Sequence, residues 1–258
     1  MVGEGMFLAR LRGLLTVMEF DGAIQAILTW PKFSLASFLI VSRLKRAGIS
    51  PKLVVDIGAN VGQFAVAATR LFNGVRVLSI EPDSRTADVL RHNLRAEKQT
   101  EVLVSAIGDY VGDARFHVNK DTQVSSLLEL GRDRIRAFPR STVVEEITVK
   151  VTTLDVLFHE RRVEGPILVK IDVQGFEDKV IRGGSNFLCG VDWVLVEVSF
   201  ADLYDGEQDF SSISNLLDEL GFKFLRPMNF HISPLTGEVM EMDALYCRRR
   251  KGKSENED

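Results

Sequence analysis

The stretch Leu53-Val54-Val55-Asp56-Ile57-Gly58-Ala59-Asn60-Val61-Gly62 decides the fold of this chain. The apolar run at 53–55 predicts a buried strand, and the glycines after it remove Cβ atoms where the backbone turns sharply. Residues 63–70, Gln-Phe-Ala-Val-Ala-Ala-Thr-Arg, predict a helix. A strand, a glycine-rich turn and a helix in direct succession are typical of a doubly wound α/β fold, in which such a turn binds a nucleoside.

The spacing of the turn indicates what kind of nucleoside it binds. From Asp56 to Gly62 it reads D-x-G-x-x-x-G, whereas the dinucleotide fingerprint is G-x-G-x-x-G. Without three closely placed glycines, a pyrophosphate at the helix N-terminus is disfavoured. An acidic residue at the start of the turn instead suits the ammonium of S-adenosylmethionine. We therefore assign Asp56, Gly58, Asn60 and Gly62 to a cofactor-binding loop.

The second and third predicted strands supply the rest of the cofactor site. An apolar run at 75–80 ends at Glu81, which lies 25 residues after Asp56, an interval that fits one helix plus one strand. A carboxylate at this place in a doubly wound sheet accepts hydrogen bonds from ribose hydroxyls, and we assign Glu81 to that role. The residues that suit an adenine face after the third strand are Ser105, Ala106 and Ile107.

Carboxylates also follow the fourth and fifth predicted strands. Asp172 comes directly after the run 167–171, and Glu197 lies near the end of the run 193–198. A carboxylate beside the reacting groups orients a substrate hydroxyl or removes its proton. We assign Asp172 as the first candidate for the general base, with a place in the cofactor site as well, and Glu197 as the reserve. The alternatives are a helix N-cap or a partner of Lys170 for Asp172, and a structural hydrogen bond for Glu197.

The pattern of the whole chain predicts one α/β domain with a mostly parallel sheet. A closing antiparallel pair is expected from strands at 222–225, 238–241 and 244–247, with a loop through 229–234. In the insert between the third and fourth strands, residues 120–145 give no clear pattern. The remaining predictions are strands at 53–55, 75–80, 101–105, 114–119, 146–151, 167–171 and 193–198, and helices near 61–72, 84–96, 154–160 and 176–187.

The two ends of the chain differ from its centre. Apolar residues recur at helical spacing in residues 1–50, for example at Leu11, Leu14 and Met18, which predicts helices that cover a sheet edge or form a lid. Residues 251–258 form a charged tail. We therefore expect an N-terminal helical segment at 1–50 and the catalytic domain at 51–250.

The composition limits the partners. The formal net charge is −4, from 32 basic and 36 acidic residues, so nucleic acid is not an expected partner. The apolar stretch 23–42 is interrupted at Trp30-Pro31-Lys32, and the part that remains, 33–41, is too short for the roughly 20 residues of a membrane helix. Without a signal-peptide pattern, a cytoplasmic protein is expected. The oligomeric state stays open.

Histidines and cysteines give no metal-binding pattern. The two cysteines, Cys189 and Cys247, lie far apart, and the four histidines share no spacing with acids or with cysteines. We therefore predict no metal site. His231, in the predicted loop between the last strands, is the best histidine candidate for a substrate contact.

Several motifs together resemble the FkbM-type methyltransferases. They are Val55–Gly62, Glu81-Pro82, Ala106–Asp109, Val151–Asp155 and Leu168–Glu177, which cover about residues 53 to 200. Ser126, in Ser125-Ser126-Leu127, also resembles a small segment of that family near the site. The resemblance implies the class I methyltransferase fold, a Rossmann-like, doubly wound, seven-stranded sheet. It also implies S-adenosyl-L-methionine as cofactor and O-methylation of a hydroxyl on a saccharide, glycolipid or secondary metabolite.

Two other functions fit parts of the sequence. A non-catalytic module of methyltransferase fold would keep the cofactor loop and bind a partner or sense the cofactor. An NAD-linked oxidoreductase is disfavoured, because the third glycine of the fingerprint is missing and no Tyr-x-x-x-Lys or histidine arrangement for hydride transfer is present.

Overall fold

The computed structural model describes residues 22–120, 122–138, 143–161 and 163–249. The strands, in chain order, are β1 (Leu53–Ile57), β2 (Arg76–Glu81), β3 (Thr100–Val104), β4 (Ala106–Ile107), β5 (Gly112–Asn119), β6 (Val143–Thr152), β7 (Ile167–Ile171), β8 (Trp193–Ser199), β9 (Phe222–Ile232) and β10 (Val239–Arg248). The helices are α1 (Ala23–Thr29), α2 (Leu35–Arg46), α3 (Gln63–Leu71), α4 (Ser84–Leu94), α5 (Arg132–Ala137), α6 (Leu154–Phe158), α7 (Glu177–Arg182), α8 (Ser185–Leu188) and α9 (Phe210–Glu219), with a 3₁₀ turn at Thr122–Val124.

Within the described residues, seven strands form one sheet in the order β3-β2-β1-β7-β8-β10-β9. The first five of these pair in parallel, and β10 runs antiparallel to both β8 and β9. The predicted mostly parallel, seven-stranded, doubly wound sheet is therefore confirmed. Its strand order reverses between β1 and β7, the place where open α/β sheets bind ligands.

The central strands are apolar because helices cover both faces of the sheet. All five residues of β1 and all five of β7 are buried. Val54 packs in the core on the side of α3, whereas its neighbour Val55 packs in the core on the side of α7 and α9. Near-continuous apolar runs are what parallel strands buried on both faces require.

The insert between β3 and β7 forms a second sheet. Among the residues described, β4, β6 and β5 make a three-stranded sheet, in which β6 pairs in parallel with β4 and antiparallel with β5. The extended segments predicted at 114–119 and 146–151 are confirmed as parts of β5 and β6. In the stretch that gave no pattern, the structure has the 3₁₀ turn, α5 and the start of β6, while residues 121 and 139–142 lie outside the described residues.

The closing antiparallel pair predicted near the C-terminus is confirmed, but the bounds of its strands were wrong. The loop expected at 229–234 is absent at Asn229–Ile232, because β9 continues to Ile232 and β10 is one strand from Val239 to Arg248. Asn229 and His231 pair across the strands with Asp243 and Glu241. The polar residues at 229–234 suggested a loop, but the turn between the strands begins only after Ile232.

Glycines explain two further differences at helices. The helix predicted from 61 starts at Gln63, since Gly62 has a left-handed φ of 93°. The helix predicted at 176–187 is two helices, α7 and α8, divided at Gly183-Gly184. A Cβ on Gly183 would lie 1.9 Å from the carbonyl oxygen of Gly108, so the chain at this break passes too close to the insert for a side chain.

The N-terminal segment is described only from residue 22. Helix α2 starts at the N-cap Ser34, whose Oγ accepts the N–H of Ser37, and it packs on α3. The helical pattern predicted for residues 1–21 and the charged tail at 251–258 lie outside the described residues. Among the helices that the structure does describe, none is long and apolar enough to cross a membrane.

Candidate active site

A cavity of about 550 Å³ lies at the carboxyl ends of β1, β2, β7 and β8. This size is within the range of small-molecule sites. Its wall includes most of the residues assigned from the sequence. The assigned residues that line it are Gly58, Asn60, Glu81, Ser105, Ala106, Ile107, Asp172 and Glu197.

The loop after β1 is shaped by two left-handed residues, Gly58 with φ 77° and Asn60 with φ 48°. A Cβ on Gly58 would lie 1.8 Å from the carbonyl oxygen of Asp172, so only glycine lets the loops after β1 and β7 meet. The Asn60 side chain stabilises its own turn, since its Oδ1 accepts the N–H of Val61 at 2.7 Å and the hydroxyl of Thr122 at 3.1 Å.

Glu81 joins the loops after β1 and β2. Its Oε2 accepts the N–H of Asn60 at 2.9 Å, and its Oε1 accepts the N–H of Asp83 at 3.1 Å. Burial raises the pKa of Glu81 to about 7, against the opposing effect of these two hydrogen bonds. Each carboxylate oxygen keeps a further lone pair, and the side chain lines the cavity. Glu81 therefore has acceptors left for a ligand.

Asp56 and Gly62 do not line the cavity. Asp56 is fully buried, its oxygens have no hydrogen-bond partner, and Oδ1 lies 3.6 Å from Nζ of Lys170. Burial raises the pKa of Asp56 to about 6. A Cβ on Gly62 would lie 2.6 Å from Cδ1 of Leu90, so this glycine serves the packing of α3 on α4. The structure places both residues behind the wall of the cavity, and their contact with a cofactor stays a prediction.

The adenine-side residues form a mainly apolar wall. Ala106 and Ile107 are buried in β4 and line the cavity together with Ile80 and Pro82. The hydroxyl of Ser105 donates to the carbonyl oxygens of Ala106 at 2.9 Å and of Lys150 at 3.1 Å. What this wall offers a ligand is an apolar surface and backbone groups.

Asp172 is held from two sides at the floor of the cavity. Its Oδ2 accepts from Nζ of Lys170 at 2.9 Å, and its Oδ1 accepts from Nε2 of Gln174 at 2.8 Å. The same Nε2 donates to Oε2 of Glu197 at 2.5 Å. The alternative of a partnership with Lys170 is thus present, whereas the N-cap of α7 is Phe176 and not Asp172.

The two carboxyl groups have opposite charge tendencies. Burial disfavours the charged form of Asp172, but the Lys170 ammonium and the hydrogen bonds outweigh it and hold the pKa of Asp172 below its usual value. Burial and the neighbouring Asp172 carboxylate raise the pKa of Glu197 well above its usual value. Asp172 is therefore ionised at neutral pH, whereas Glu197 holds a proton to a higher pH than an ordinary glutamate does. The Asp172 side chain is 29% exposed toward the cavity.

The sequence did not predict the opposite wall of the cavity. Arg134 of α5 and Glu241 of β10 form a buried ion pair at 3.2 Å, and both line the cavity together with Asp243 and Asn229. The available signal was Glu241 and Asp243 at positions i and i+2 of an otherwise apolar strand. His231, the histidine selected from the sequence, also lines the cavity, from strand β9 rather than from a loop.

Residues behind the wall position the loop after β7. The Ser126 hydroxyl donates to the carbonyl oxygen of Gln174 at 2.5 Å, and Ser126 itself is buried. Glu177 accepts the N–H groups of Val173 at 3.0 Å and Gly175 at 3.2 Å. A Cβ on Gly175 would lie 2.7 Å from Cβ of Tyr204, so this glycine relieves crowding against protein and not against a ligand.

In the part of the chain that the structure describes, no group of three or more His, Cys, Asp or Glu side chains is arranged to hold a metal ion. The cavity is instead lined by the carboxyl groups of Glu81, Asp172, Glu197, Glu241 and Asp243, against the cations Lys170 and Arg134. Such a donor set fits an organic ligand that carries positive charge and hydroxyl groups.

Three similar proteins are methyltransferases. The "2-O-methyltransferase NoeI" of Sinorhizobium fredii is 28% identical over 171 residues, covering 64% of this chain and 70% of NoeI. The "Hexuronic acid methyltransferase AglP" of Haloferax volcanii is 28% identical over 144 residues, covering 55% of this chain and 54% of AglP. The "31-O-demethyl-FK506 methyltransferase FkbM" of Streptomyces tacrolimicus is 28% identical over 192 residues, covering 66% of this chain and 72% of that protein.

The family itself is shown by a match over most of the chain. The profile of the Methyltransferase FkbM domain matches residues 56–224, which run from the end of β1 into β9 and include the loops that carry Glu81, Asp172 and Glu197. The seven-stranded sheet with its antiparallel β10 is the class I methyltransferase fold. This protein belongs to the FkbM methyltransferase family.

Proposed function

We propose that this protein is an S-adenosylmethionine-dependent O-methyltransferase that acts on a hydroxyl of a saccharide, a glycolipid or a secondary metabolite. One observation carries the proposal: a single cavity has a ribose-type carboxylate, Glu81, on one side and the carboxyl pair Asp172 and Glu197 at its floor. The names of the relatives support it, since NoeI is a 2-O-methyltransferase, AglP acts on a hexuronic acid and FkbM on 31-O-demethyl-FK506.

The cofactor would lie along the loops after β1, β2 and β3. Glu81 would accept the ribose hydroxyls, and the apolar wall of Pro82, Ala106 and Ile107 would receive the adenine. The excess of carboxyl groups over cations in the cavity favours the positive charge of a sulfonium. When bound, S-adenosylmethionine supplies an electrophilic methyl group, so no metal is needed to activate the donor.

Asp172 would act as the general base. It is ionised, partly exposed to the cavity and held by Lys170 and Gln174, so its oxygens have a fixed position for the proton of an acceptor hydroxyl. General-base assistance of this kind contributes roughly 10²–10⁴-fold. Because burial and the Asp172 carboxylate favour the protonated form of Glu197, its role would be to support Asp172 rather than to accept the first proton.

The acceptor would lie against β9, β10 and α5. This wall combines planar polar side chains with an aromatic ring at its edge, the combination that binds hydroxylated rings through hydrogen bonds and stacking. The residues concerned are Arg134, Asn229, His231, Glu241 and Asp243, with Phe230 half exposed beside them.

The N-terminal segment would contribute to closing the site. The residues of α2 and its cap that line the cavity are Ser34, Ala36, Ser37 and Ile40. We propose that this helix is the fixed part of a cover over the cofactor, within an N-terminal unit at 1–50 that precedes the catalytic domain at 51–250.

Titration calorimetry followed by a transfer assay tests the proposed function. The protein should bind S-adenosylmethionine and not NAD, and it should then transfer a methyl group to members of a panel of sugars, glycolipids and hydroxylated metabolites. Asp172→Asn should keep cofactor binding and lose most of the turnover. A preference for NAD would contradict the proposal. Turnover at the wild-type rate in both Asp172→Asn and Glu197→Gln would show that neither carboxyl group is the general base.

A further inference from the structure

Gln174 stands out in the loop after β7 by its backbone. Its φ of 59° lies in the left-handed region, which a residue with a side chain rarely adopts. The loop is held there by the hydroxyl of Ser126 on the Gln174 carbonyl oxygen, and by Glu177 on the flanking N–H groups. Such conformations persist where the surroundings impose them, and they cluster at functional sites.

The Gln174 side chain uses every polar atom that it has. One amide nitrogen donates to two different carboxyl groups, to Oδ1 of Asp172 at 2.8 Å and to Oε2 of Glu197 at 2.5 Å. The amide oxygen accepts from the hydroxyl of Tyr204 at 2.5 Å. Burial raises the pKa of Tyr204, so this hydroxyl stays protonated and donates. Tyr204 therefore fixes the direction of the amide, with oxygen toward the phenol and nitrogen toward the carboxyl pair.

Charged groups face this pair from every side. Lys170 of β7 contacts Asp172 and is the nearest cation, with Asp56 of β1 behind it. From β10, Glu241 and Asp243 disfavour the ionisation of Glu197, and so does Glu177 of α7. Arg134 of α5 interacts electrostatically with both Glu197 and Glu241, and His231 of β9 interacts with Glu241. Gln174 is thus the neutral donor that bridges Asp172 and Glu197 in an acidic surrounding.

We propose that Gln174 is a positioning residue for proton removal, whose amide holds the carboxyl groups of Asp172 and Glu197 together and keeps the oxygens of Asp172 turned toward the acceptor. The inference rests on the proposed function. In the reaction, the hydroxyl proton passes to an oxygen of Asp172 while the acceptor oxygen bonds to the methyl carbon, and the electron pair of the carbon–sulfur bond remains on sulfur. Gln174 itself exchanges no proton.

Two substitutions of Gln174 separate the effect of its side-chain amide from the effect of its left-handed backbone conformation. Gln174→Met keeps the length of the side chain and removes the amide, whereas Gln174→Gly removes the amide and relieves the left-handed backbone. Both should lower kcat by roughly tenfold or more, because the base loses its fixed position. The KM for the acceptor and the Kd for S-adenosylmethionine should stay within about twofold of wild type, since the polar atoms of the amide are already bonded to Asp172, Glu197 and Tyr204. Tyr204→Phe should give a smaller loss, because the amide keeps its donors but can rotate.

A titration of the ligand-free protein gives a readout that a structural role would not move. Carboxyl ¹³C NMR follows Glu197, whose resonance is identified by its absence from Glu197→Gln. Without the amide donors, the ionised forms of the pair lose support, so the midpoint of Glu197 should rise by about one pH unit in both Gln174 variants. Gln208→Met is the matched control, because Gln208 is exposed and does not line the cavity, and it should change neither kcat nor the midpoint.

The outcomes distinguish the inference from the function on which it rests. Wild-type kcat in Gln174→Gly, or an unmoved Glu197 midpoint in either variant, would overturn the positioning role. Absence of methyl transfer by the wild-type protein would contradict the proposed function, and the NMR titration would then still decide whether Gln174 holds the pair. If Gln174→Met does not fold, Gln174→Gly and Tyr204→Phe decide the question.

Discussion

At the scale of single residues, the carboxyl groups at the edge of the sheet differ in what holds them. Glu81 is held by two backbone N–H groups, Asp172 by Lys170 and the Gln174 amide, and Asp56 only by the Lys170 ammonium at 3.6 Å. Asp172 and Glu81 line the cavity, whereas Asp56 is fully buried and does not. This placement suits Asp172 and Glu81 for contact with a ligand and Asp56 for support of Lys170.

Replacing Glu81 should weaken cofactor binding. Glu81→Gln keeps the side-chain length but removes the charge and one acceptor, and the loss of a charged hydrogen bond costs about 1–3 kcal/mol. The Kd for S-adenosylmethionine, measured by titration calorimetry, should rise by roughly five- to 150-fold. Glu219→Gln, an exposed glutamate of α9, should bind as the wild type does. An unchanged Kd in Glu81→Gln would take Glu81 out of the cofactor site.

At the scale of elements, the site depends on loops that approach each other without side chains between them. The close approach of the loops after β1 and β7 requires Gly58. On the far wall, α5 is tied to β10 by the buried pair of Arg134 and Glu241. The first contact brings the loop after β1 to Asp172, and the second places the insert over the wall that we propose for the acceptor.

Gly58→Ala should separate a steric cost from a backbone cost when it is compared with Gly74→Ala. Both glycines have left-handed φ angles, 77° and 67°, but a Cβ at position 74 meets nothing within 4 Å. The left-handed backbone alone costs roughly 1–2 kcal/mol. Gly58→Ala should cost clearly more in urea unfolding and should also weaken cofactor binding. Equal losses in the two variants would show that the loops do not meet as closely as described.

Helix α5 forms one buried and one exposed ion pair, and we expect only the loss of the buried pair to lower the free energy of unfolding strongly. Arg134→Met leaves Glu241 buried without its partner, which costs about 3–5 kcal/mol, whereas the double variant Arg134→Met with Glu241→Met should recover much of that loss. Arg132, on the same helix, pairs with Asp202, and the Arg132 side chain is 94% exposed. Arg132→Met removes this pair and should cost less than about 1 kcal/mol. Urea unfolding measures all of them, and equal costs for Arg134→Met and Arg132→Met would contradict the buried pair.

At the scale of the whole molecule, buried carboxyl groups make stability depend on pH. Burial raises the pKa of Asp56 to about 6, that of Glu81 to about 7 and that of Glu177 to about 8. Between the ordinary and the raised values the folded protein holds more protons than the unfolded chain, so the free energy of unfolding falls as pH rises. The lowered pKa of Asp172 and the raised pKa of Lys170 act outside this window.

The ligand-free protein should therefore have a lower Tm at pH 8 than at pH 5.5. Each kcal/mol of lost stability lowers Tm by about 2–4 °C for a domain of this size. Glu177→Gln keeps an acceptor oxygen for the two N–H groups and removes a titrating group, so it should flatten the dependence, while the exposed Glu219→Gln should not. A Tm that rises from pH 5.5 to pH 8 would show that these carboxyl groups are not buried as described.

The sequence predicted the parts of the site that local order determines. Apolar runs mark parallel strands, and their carboxyl ends meet at one edge, so Glu81, Asp172 and Glu197 were selected from their places at or near the ends of strands. Contacts between distant parts of the chain left no such pattern. Tyr204 lies 30 residues from Gln174, and Arg134 lies 107 from Glu241. For the same reason the course of β9 was mispredicted, because its polar residues are matched only by partners on β10.

The most direct test is a crystal structure of the protein with S-adenosylhomocysteine. We predict that the ribose hydroxyls donate to Glu81, that the adenine lies against Pro82 and Ile107, and that the sulfur faces the open side of Asp172. A ligand bound elsewhere, or a ribose with no contact to Glu81, would contradict the placement of the methyl donor along this edge of the sheet.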